Sequence, residues 1–206
     1  MHDSANATTS ERRPSRLCVF CGSNHGERAE YAAAAADLGA ALVERGIGLV
    51  YGGGRVGLMG VIADTVLAGG GEVIGVIPHA LDTKELAHDG VTKMHRVNTM
   101  HERKALMADL ADGFIALPGG LGTFDESFEI VTWAQLGIHH KPCGLLNVAG
   151  YYDRLIAFLD HTVEERFVKP QHRDLILVES DYQRLLDRMA NYTCRVTEKW
   201  ITREEL

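Results

Sequence analysis

Short apolar runs alternate along the chain with longer segments in which hydrophobic residues recur every three or four positions. Mainly apolar runs predict buried strands over Leu17–Cys21, Ile47–Tyr51, Glu72–Ile77, Phe114–Leu117, Cys143–Val148 and Leu175–Val178. The intervening segments predict helices over Glu30–Arg45, Leu58–Leu67, Met100–Asp112, Phe124–Leu136, Tyr152–Glu165 and Asp181–Tyr192. The pattern therefore predicts a regular alternation of strands and helices.

Such an alternation is typical of an α/β protein, because parallel strands need helical crossovers. We predict a single domain with a Rossmann-like, doubly wound parallel sheet and helices on both faces. Right-handed crossovers favour a strand order near 3-2-1-4-5. Residues 79–98 are the least regular and are predicted to form a mobile or ligand-covering loop. We predict a disordered tail over 1–15, the folded domain over 16–192 and a C-terminal extension over 193–206.

Composition narrows the functional classes. Hydrophobic residues make up 46% of the chain and charged residues 24%, the balance of an ordinary globular protein. The net charge of -7 argues against a nucleic-acid binder, which would show a basic surface. No apolar run reaches the length of a membrane span, and the first sixteen residues lack the apolar region of a secretory signal. We therefore expect a cytoplasmic enzyme with neither nucleic acid nor membrane as a partner.

The four cysteines favour structural roles. Cys18 and Cys21 form a C-x-x-C motif, but both lie in a predicted strand, where positions three apart face opposite sides. A redox pair is expected at the start of a helix, and zinc would need a second ligand pair. Cys143 and Cys194 stand alone. We therefore predict no disulfide framework and no metal site.

The ten histidines show no spacing typical of a metal site. His139 and His140 follow a predicted helix and are expected to be exposed to solvent. His79 and His95 flank the irregular segment and are open candidates for substrate contact. No Ser-His-Asp grouping stands out.

A glycine-rich turn joins the strand ending at Leu117 to the helix that follows it. Gly119, Gly120 and Gly122 lie at this junction, next to Thr123. The first N–H groups of a helix have no partner within the helix, and they carry a partial positive charge that favours anions. Glycine lets the backbone approach a ligand closely. The turn is therefore predicted to bind a phosphate.

Two further turns, Gly22-Ser23 and Gly52–Gly57, also follow predicted strand ends. Carboxyl ends of parallel strands share one edge of the sheet, so the three turns predict a nucleotide-sized pocket there. Gly52–Gly57 matches G-x-G-x-x-G, but it does not follow the first strand, and no acidic residue ends the next strand. This misplacement argues against NAD binding.

Glu126 has two interpretations. Thr123 to Glu126 spells S/T-x-x-E, a capping box in which the carboxylate only binds the backbone at the helix start. On a helical projection, however, Glu126 lies near Ile130 and Trp133 and outside the polar arc. Partial desolvation there would raise the pKa of the carboxyl toward catalytic use. Spacing alone leaves a cap and a catalyst equally open.

Arg103 is predicted to lie in the middle of an apolar helical stripe. Thr99 and Glu102 form a capping-box pattern that opens this helix. The stripe comprises Met100, Leu106, Met107, Leu110 and Ala111. A buried guanidinium needs a partner, so Arg103 either pairs with a structural carboxylate or faces the crevice to hold an anion, and we favour the second interpretation. Lys104, at the edge of the stripe, is the weaker candidate.

Three of these motifs resemble those of a known family. Residues 118–126 match P-G-G-x-G-T-x-x-E, residues 100–104 match its M-H-x-R-K motif, and residues 52–60 match its glycine-rich segment. Residues 132–137 and Lys141-Pro142 also fit. The chain thus resembles, over about residues 17–192, the Lonely Guy family of cytokinin riboside 5′-monophosphate phosphoribohydrolases, often labelled possible lysine decarboxylases.

The resemblance implies hydrolysis of the N-glycosidic bond of a purine nucleoside 5′-monophosphate, with no cofactor. It assigns catalysis to Arg103 and Glu126. It implies substrate contacts from Glu85, Arg103, Lys104, Gly119, Gly120, Leu121, Gly122, Thr123, Glu126 and Thr132, with Gly22, Ser23, Gly53, Gly54, Gly57 and Met59 as further candidates for phosphate loops. It also implies a homodimer, with Trp133 and Leu136 as interface candidates.

Two other functions are considered beside this one. Pyridoxal chemistry, which the decarboxylase label would require, needs a Schiff-base lysine and a partner for the ring nitrogen. Lys104 lies beside the proposed phosphate-binding Arg103, and no separate site for pyridoxal phosphate is apparent. A nucleotide-binding or carrier protein on the same fold is the rival without catalysis, because fold does not decide function.

Overall fold

One parallel sheet of seven strands organises residues 14–82 and 87–194, the part of the chain that the computed structural model describes. The strands are β1 Arg16–Phe20, β2 Gly48–Tyr51, β3 Val73–Pro78, β4 Lys93–Val97, β5 Gly113–Ala116, β6 Cys143–Leu146 and β7 Ile176–Glu179. They are arranged in the order β4-β3-β2-β1-β5-β6-β7. The predicted order of the central strands is confirmed, with β4 added outside β3.

Helices cover both faces of the sheet. They are α1 Ala29–Glu44, α2 Gly57–Ala68, α3 Met100–Leu110, α4 Leu121–Gln135, α5 Asp153–Glu164, α6 Pro170–Arg173 and α7 Tyr182–Ala190. Buried residues of α1, α2 and α7 pack together on one face, while α3, α4 and α5 cover the other. The doubly wound α/β prediction is therefore confirmed.

The winding of the sheet reverses between β1 and β5. The chain runs outward from β1 through β2 and β3 to β4, and then returns to place β5 on the other side of β1. Ligands of open α/β sheets bind at the carboxyl ends of the strands beside such a reversal. The loops after β1, β2 and β5 meet there, and they carry the three glycine-rich turns.

The predicted loop over residues 79–98 is only partly correct. Lys93–Val97 forms β4, which pairs with β3 along one side and is one of the two edge strands of the described sheet. Lys93 and Arg96 are exposed, so the strand lacks the apolar run by which the inner strands were predicted. A single helical turn occupies His79–Leu81, and residues 83–86 lie outside the described part.

Both ends of the chain extend beyond the described residues. Residues 1–13 and 195–206, which carry most of the predicted tail and extension, lie outside the described part, so these domain boundaries stay predictions. Ser15 is described, and its hydroxyl donates to Asp112 Oδ2 at 2.7 Å. Among the described residues, no helix is long and apolar enough to cross a bilayer.

Cys18 and Cys21 lie on opposite faces of the sheet, as predicted. Cys18 packs with the α3 and α4 side of the core, and Cys21 packs with the α1 and α2 side. Burial raises the pKa of both thiols. A buried thiol with a raised pKa is a poor nucleophile, which supports the structural interpretation.

Candidate active site

Backbone hydrogen bonds join the three glycine-rich turns. The N–H of Gly22, in the loop after β1, donates to Pro118 O at 3.0 Å. The carbonyl of Gly22 accepts from Leu58 N, in the first turn of α2, at 3.0 Å. The Gly22 loop is therefore held between the turn before α2 and the turn before α4. Ser23, next to it, is exposed.

The turn before α2 lacks room for side chains. Gly57 has φ +59, and a Cβ there would lie 2.3 Å from Asn24 N, so only glycine fits. Gly53 also has a positive φ, +77, and its carbonyl accepts from His88 N at 2.9 Å. Gly54 forms a bridge to Ala87. Gly57 thus brings the turn close to the loop after β1, while Gly53 and Gly54 bring it close to residues 87 and 88.

Helix α4 begins at the predicted phosphate turn. Gly120 is the N-cap, and the first helical hydrogen bond runs from Phe124 N to Gly120 O at 3.1 Å. The N–H groups of Leu121, Gly122 and Thr123 therefore lack a partner within the helix. A Cβ on Gly120 or Gly122 would meet nothing within 4 Å, so the approach to these groups is open. The arrangement suits an anion.

Gly119 and Thr123 pack tightly against each other under this turn. A Cβ on Gly119 would lie 2.1 Å from Thr123 Oγ1 and 2.9 Å from Gly22 N. Thr123 is buried. The glycine at position 119 is thus required by packing, whereas the glycines at 120 and 122 leave space.

Arg103 connects β3 and the loop after β2 to α4. Its Nη1 donates to Glu126 Oε1 at 2.7 Å, its Nε to Val76 O at 3.0 Å and its Nη2 to Gly52 O at 3.2 Å. The side chain is 10% exposed. A Cβ on Gly52 would lie 2.1 Å from Nη2 and 3.4 Å from Met59 Sδ, so glycine makes room for the guanidinium. The predicted buried position of Arg103 is confirmed, and its partner is Glu126.

The interpretation of Glu126 as a cap is wrong. Helix α4 starts at Leu121, so Thr123 is the third helical residue rather than the N-cap, and Glu126 points at Arg103. The Glu126 side chain is 11% exposed. Burial raises the pKa of Glu126, while the charge and hydrogen bond of Arg103 oppose the rise. A carboxyl of this kind can exchange a proton nearer neutral pH than an exposed glutamate can.

Lys104 lies beside this pair and has its own partners. Its Nζ is 3.1 Å from Asp125 Oδ2 and 3.0 Å from Glu129 Oε2, both on α4. Burial lowers the pKa of Lys104, but the hydrogen bonds and charges of Glu129 and Asp125 outweigh burial and raise it. Lys104 is therefore a buried ammonium that ties α3 to α4.

The stripe predicted on α3 is shifted. Met100, predicted to be apolar core, is 43% exposed, and the buried face comprises Arg103, Lys104, Met107 and Ala108. The predicted start of the helix is confirmed, because Thr99 Oγ1 accepts from Glu102 N at 3.1 Å. The face differs because ion pairs with α4 bury two charged residues there.

Two other predicted substrate contacts, Thr132 and Glu85, stay untested. Thr132 is exposed on α4, about 9 Å along the axis from Glu126, and its hydroxyl donates to Phe128 O at 2.7 Å. Glu85 lies outside the described residues. Substrate contact by either residue stays a prediction.

His139 is half-buried and His140 is exposed, so the predicted exposure is wrong for His139 and confirmed for His140. Its Nε2 is 2.9 Å from Ile130 O, its Nδ1 is 3.1 Å from Lys141 N, and its ring packs on Phe114. Burial lowers the pKa of His139 to about 4. The ring is therefore a neutral structural group behind α4.

Sequence reasoning missed two tyrosines that touch the phosphate turn. Tyr152 Oη donates to Leu117 O at 2.6 Å, and the Tyr151 hydroxyl donates to Gly119 O. Both residues follow Gly150 in the loop after β6. Their position after a strand on the same sheet edge was the signal that could have found them.

Residues 59–189 match a family model described as possible lysine decarboxylase. A rice protein (Oryza sativa subsp. japonica) named probable cytokinin riboside 5′-monophosphate phosphoribohydrolase LOGL3 is 53% identical over 182 residues, which cover 88% of this chain and 86% of that protein. The Arabidopsis thaliana cytokinin riboside 5′-monophosphate phosphoribohydrolase LOG3 is 51% identical, covering 86% of this chain and 82% of that protein.

Solved structures share the fold at lower identity. The molybdenum cofactor binding protein of Rippkaea orientalis matches with a TM-score of 0.66 and 20% identity, over 87% of this chain and 98% of that chain. The molybdenum cofactor carrier protein of Chlamydomonas reinhardtii matches with a TM-score of 0.63 and 20% identity, over 85% and 96% of the two chains. These two likenesses support the fold alone. The sequence matches over most of the chain show that it belongs to the Lonely Guy family, as its motifs predicted.

Proposed function

We propose that this chain hydrolyses the N-glycosidic bond of adenosine 5′-monophosphate or an N6-substituted derivative, releasing the free base and ribose 5-phosphate. The observation that carries the proposal is the buried ion pair between Arg103 of α3 and Glu126 of α4, with 2.7 Å between Nη1 and Oε1. Glu126 lies on the helix that begins at the phosphate turn. The names of the rice and Arabidopsis relatives support the same reaction.

In this proposal the start of α4 holds the 5′-phosphate. The N–H groups of Leu121, Gly122 and Thr123 and the helix dipole attract the anion, and the open positions at Gly120 and Gly122 admit it. Glu126 lies about 6 Å further along the helix axis than Gly122. This spacing suits a ribose ring between the phosphate and the carboxylate, so binding of the phosphate positions the reacting bond.

Glu126 and Arg103 then act on the sugar. As the bond from C1′ to the base nitrogen breaks, its electrons leave with the base and positive charge develops on the ribose. The Glu126 carboxylate stabilises this charge and takes a proton from the water that attacks C1′. Arg103 orients the carboxylate and retains N–H groups beyond the three it uses, which are available to the substrate.

Lys104 argues against pyridoxal chemistry. A Schiff base forms from a neutral amine, whereas the two carboxylates around Lys104 raise its pKa and keep it charged. Its Nζ is also engaged by both carboxylates, at 3.1 Å from Asp125 and 3.0 Å from Glu129. We therefore propose that Lys104 supports α4 beside the substrate rather than carrying a cofactor.

The outer face of α4 supports the proposal of a homodimer. An open groove on this face is lined mainly by apolar residues together with two carboxylates: Phe124, Asp125, Phe128, Glu129, Thr132, Trp133 and Leu136. We propose that a second copy covers it, which the resemblance also implies. Light scattering should give twice the mass of one chain, and Leu136→Arg should give the monomer. A wild-type monomer at micromolar concentration would refute the dimer.

The buried free thiols of Cys18, Cys21 and Cys143 suit a reducing compartment. We therefore propose a cytoplasmic location. Fractionation of cells that express the tagged full-length chain would test it.

A direct assay separates the enzyme from a carrier. Purified protein is incubated with adenosine 5′-monophosphate or its N6-isopentenyl derivative, and base release is followed by chromatography. Adenosine, which lacks the phosphate, is the matched control substrate and should react far more slowly. Binding of both nucleotides without release of any base would favour a carrier protein and contradict the proposal.

A further inference from the structure

Two tyrosine hydroxyls bind the backbone of the phosphate turn from the loop after β6. Tyr152 Oη donates to Leu117 O at 2.6 Å, and the hydroxyl of Tyr151 donates to Gly119 O. Tyr152 is 1% exposed and Tyr151 is 37% exposed. The two phenols thus hold the carbonyls on either side of Pro118.

The carbonyls of Pro118 and Gly120 also accept hydrogen bonds. Pro118 O accepts from Gly22 N at 3.0 Å, and Gly120 O accepts from Phe124 N at 3.1 Å. Four successive carbonyls, 117 to 120, are therefore each engaged by a donor. A carbonyl oxygen carries partial negative charge and repels a nearby phosphate, whereas an N–H group attracts it. Because these carbonyls already accept hydrogen bonds, the N–H groups at the start of α4 are the groups of the turn that remain to bind an anion.

The backbone conformation of the loop before the two tyrosines is fixed by local contacts. Ala149 has φ 50 and Gly150 has φ 72, and a left-handed alanine is unfavourable unless its surroundings fix it. Asn147 Oδ1 accepts from Tyr152 N at 2.7 Å, while its Nδ2 donates to Asp153 Oδ1 at 2.7 Å. The backbone before the two tyrosines is therefore fixed from both sides.

Ring packing fixes the side chains. The ring of Tyr151 meets that of Tyr152 at 5.0 Å and 80°, and that of Tyr31 at 5.6 Å and 78°. Edge-to-face contacts of this kind are favourable and restrict rotation. The hydroxyl of Tyr151 is thereby held against Gly119.

We propose that Tyr151 and Tyr152 are positioning residues for the 5′-phosphate. They set the conformation of the Leu117–Gly120 turn and neutralise its carbonyl dipoles, so that the helix start accepts an anion. The inference rests on the proposed function, in which this turn binds the phosphate of a nucleoside monophosphate.

Tyr151→Phe tests the inference, since it removes only the hydroxyl. The inhibition constant of ribose 5-phosphate and the KM of adenosine 5′-monophosphate should each rise about five- to tenfold, the effect of one lost hydrogen bond between neutral groups. The inhibition constant of adenine and the Tm should stay at the wild-type values, because the base lies away from the turn. Tyr31→Phe, the same change on the ring beside it, should alter none of these.

Tyr152→Phe provides a second variant at the buried phenol. The same rise is expected in the inhibition constant of ribose 5-phosphate relative to that of adenine, together with a lower Tm, because Leu117 O is left buried without its donor. An active wild type in which Tyr151→Phe leaves ribose 5-phosphate inhibition unchanged would overturn the inference and leave the proposed function standing. Equal weakening of adenine and ribose 5-phosphate would also overturn it, because a general distortion would then be the cause. A wild type that releases no base would instead contradict the proposed function on which the inference rests.

Discussion

At the scale of single residues, the surroundings of Glu126 decide its chemistry. The sequence left it open whether this glutamate caps α4 or reacts, because the S/T-x-x-E pattern fits both. The pattern could not locate the helix start, which lies at Leu121, two residues before Thr123, with Gly120 as the N-cap. Its partner, Arg103, lies 23 positions away in the chain and is reached only through the fold.

The raised pKa of Glu126 predicts the acid side of the pH profile. The proposed reaction needs the ionised carboxylate, so kcat/KM should fall as pH drops through the pKa of Glu126 in the free enzyme. Burial raises that pKa, so the midpoint should lie above the value of about 4.3 of an exposed glutamate. Initial rates at low substrate over a pH series provide the measurement. A midpoint at or below that value would contradict the assignment.

Two neighbouring charges should move this midpoint in opposite directions. Asp125 raises the pKa of Glu126 and Lys104 lowers it. Asp125→Asn should therefore shift the acid limb to lower pH, and Lys104→Met should shift it to higher pH. The same series of rates measures both variants. Shifts in the same direction would show that the limb belongs to another group.

His139 predicts a second pH effect, on stability. The unfolded imidazole titrates near 6.5 and the folded one at about 4, so the unfolded state binds the proton first as pH falls. The free energy of unfolding should decrease from about pH 7 down to about pH 4, by as much as roughly 3 kcal/mol. The free energy of unfolding of His139→Gln, measured by urea titration at a series of pH values, should depend less steeply on pH than that of the wild type. The exposed neighbour provides the control: His140→Gln should keep the wild-type slope, and an equal change in both would contradict the prediction.

At the scale of elements, the two helices of the site differ in how much their sequences predicted. The capping box at Thr99 and Glu102 located the start of α3 correctly, since its signals are local. The buried face of α3 was not predictable, because Lys104 is buried by carboxylates of α4 rather than by its own apolar neighbours. Strand β4 was also not predicted, because an edge strand tolerates a polar sequence and therefore lacks the apolar run of an inner strand.

The cap of α3 predicts a stability effect. Thr99→Ala removes the side-chain acceptor of Glu102 N and should lower the free energy of unfolding by about 1 kcal/mol. Urea denaturation measures the change. Thr132→Ala is the matched control, because that hydroxyl only binds its own helix, and the change should stay within about 0.5 kcal/mol. Equal losses in the two variants would contradict a specific capping role.

At the scale of the whole molecule, the doubly wound sheet brings the site together. The alternation of strands and helices predicted the fold and the shared edge of the three glycine-rich turns, because both follow from handedness rules. Arg103, from the crossover between β4 and β5, reaches Gly52 after β2 and Glu126 on α4. Contacts of this kind join distant parts of the chain and depend on packing that no local pattern encodes.

Turnover of Glu126→Gln decides whether the buried carboxylate is catalytic. Glutamine retains the shape and an oxygen that accepts from Arg103, but it cannot take a proton from water. The rate of base release from adenosine 5′-monophosphate, measured at saturating substrate, should fall at least about a hundredfold relative to wild type, with ribose 5-phosphate still bound. Full turnover by Glu126→Gln would contradict the account, since the buried carboxylate would then serve structure alone.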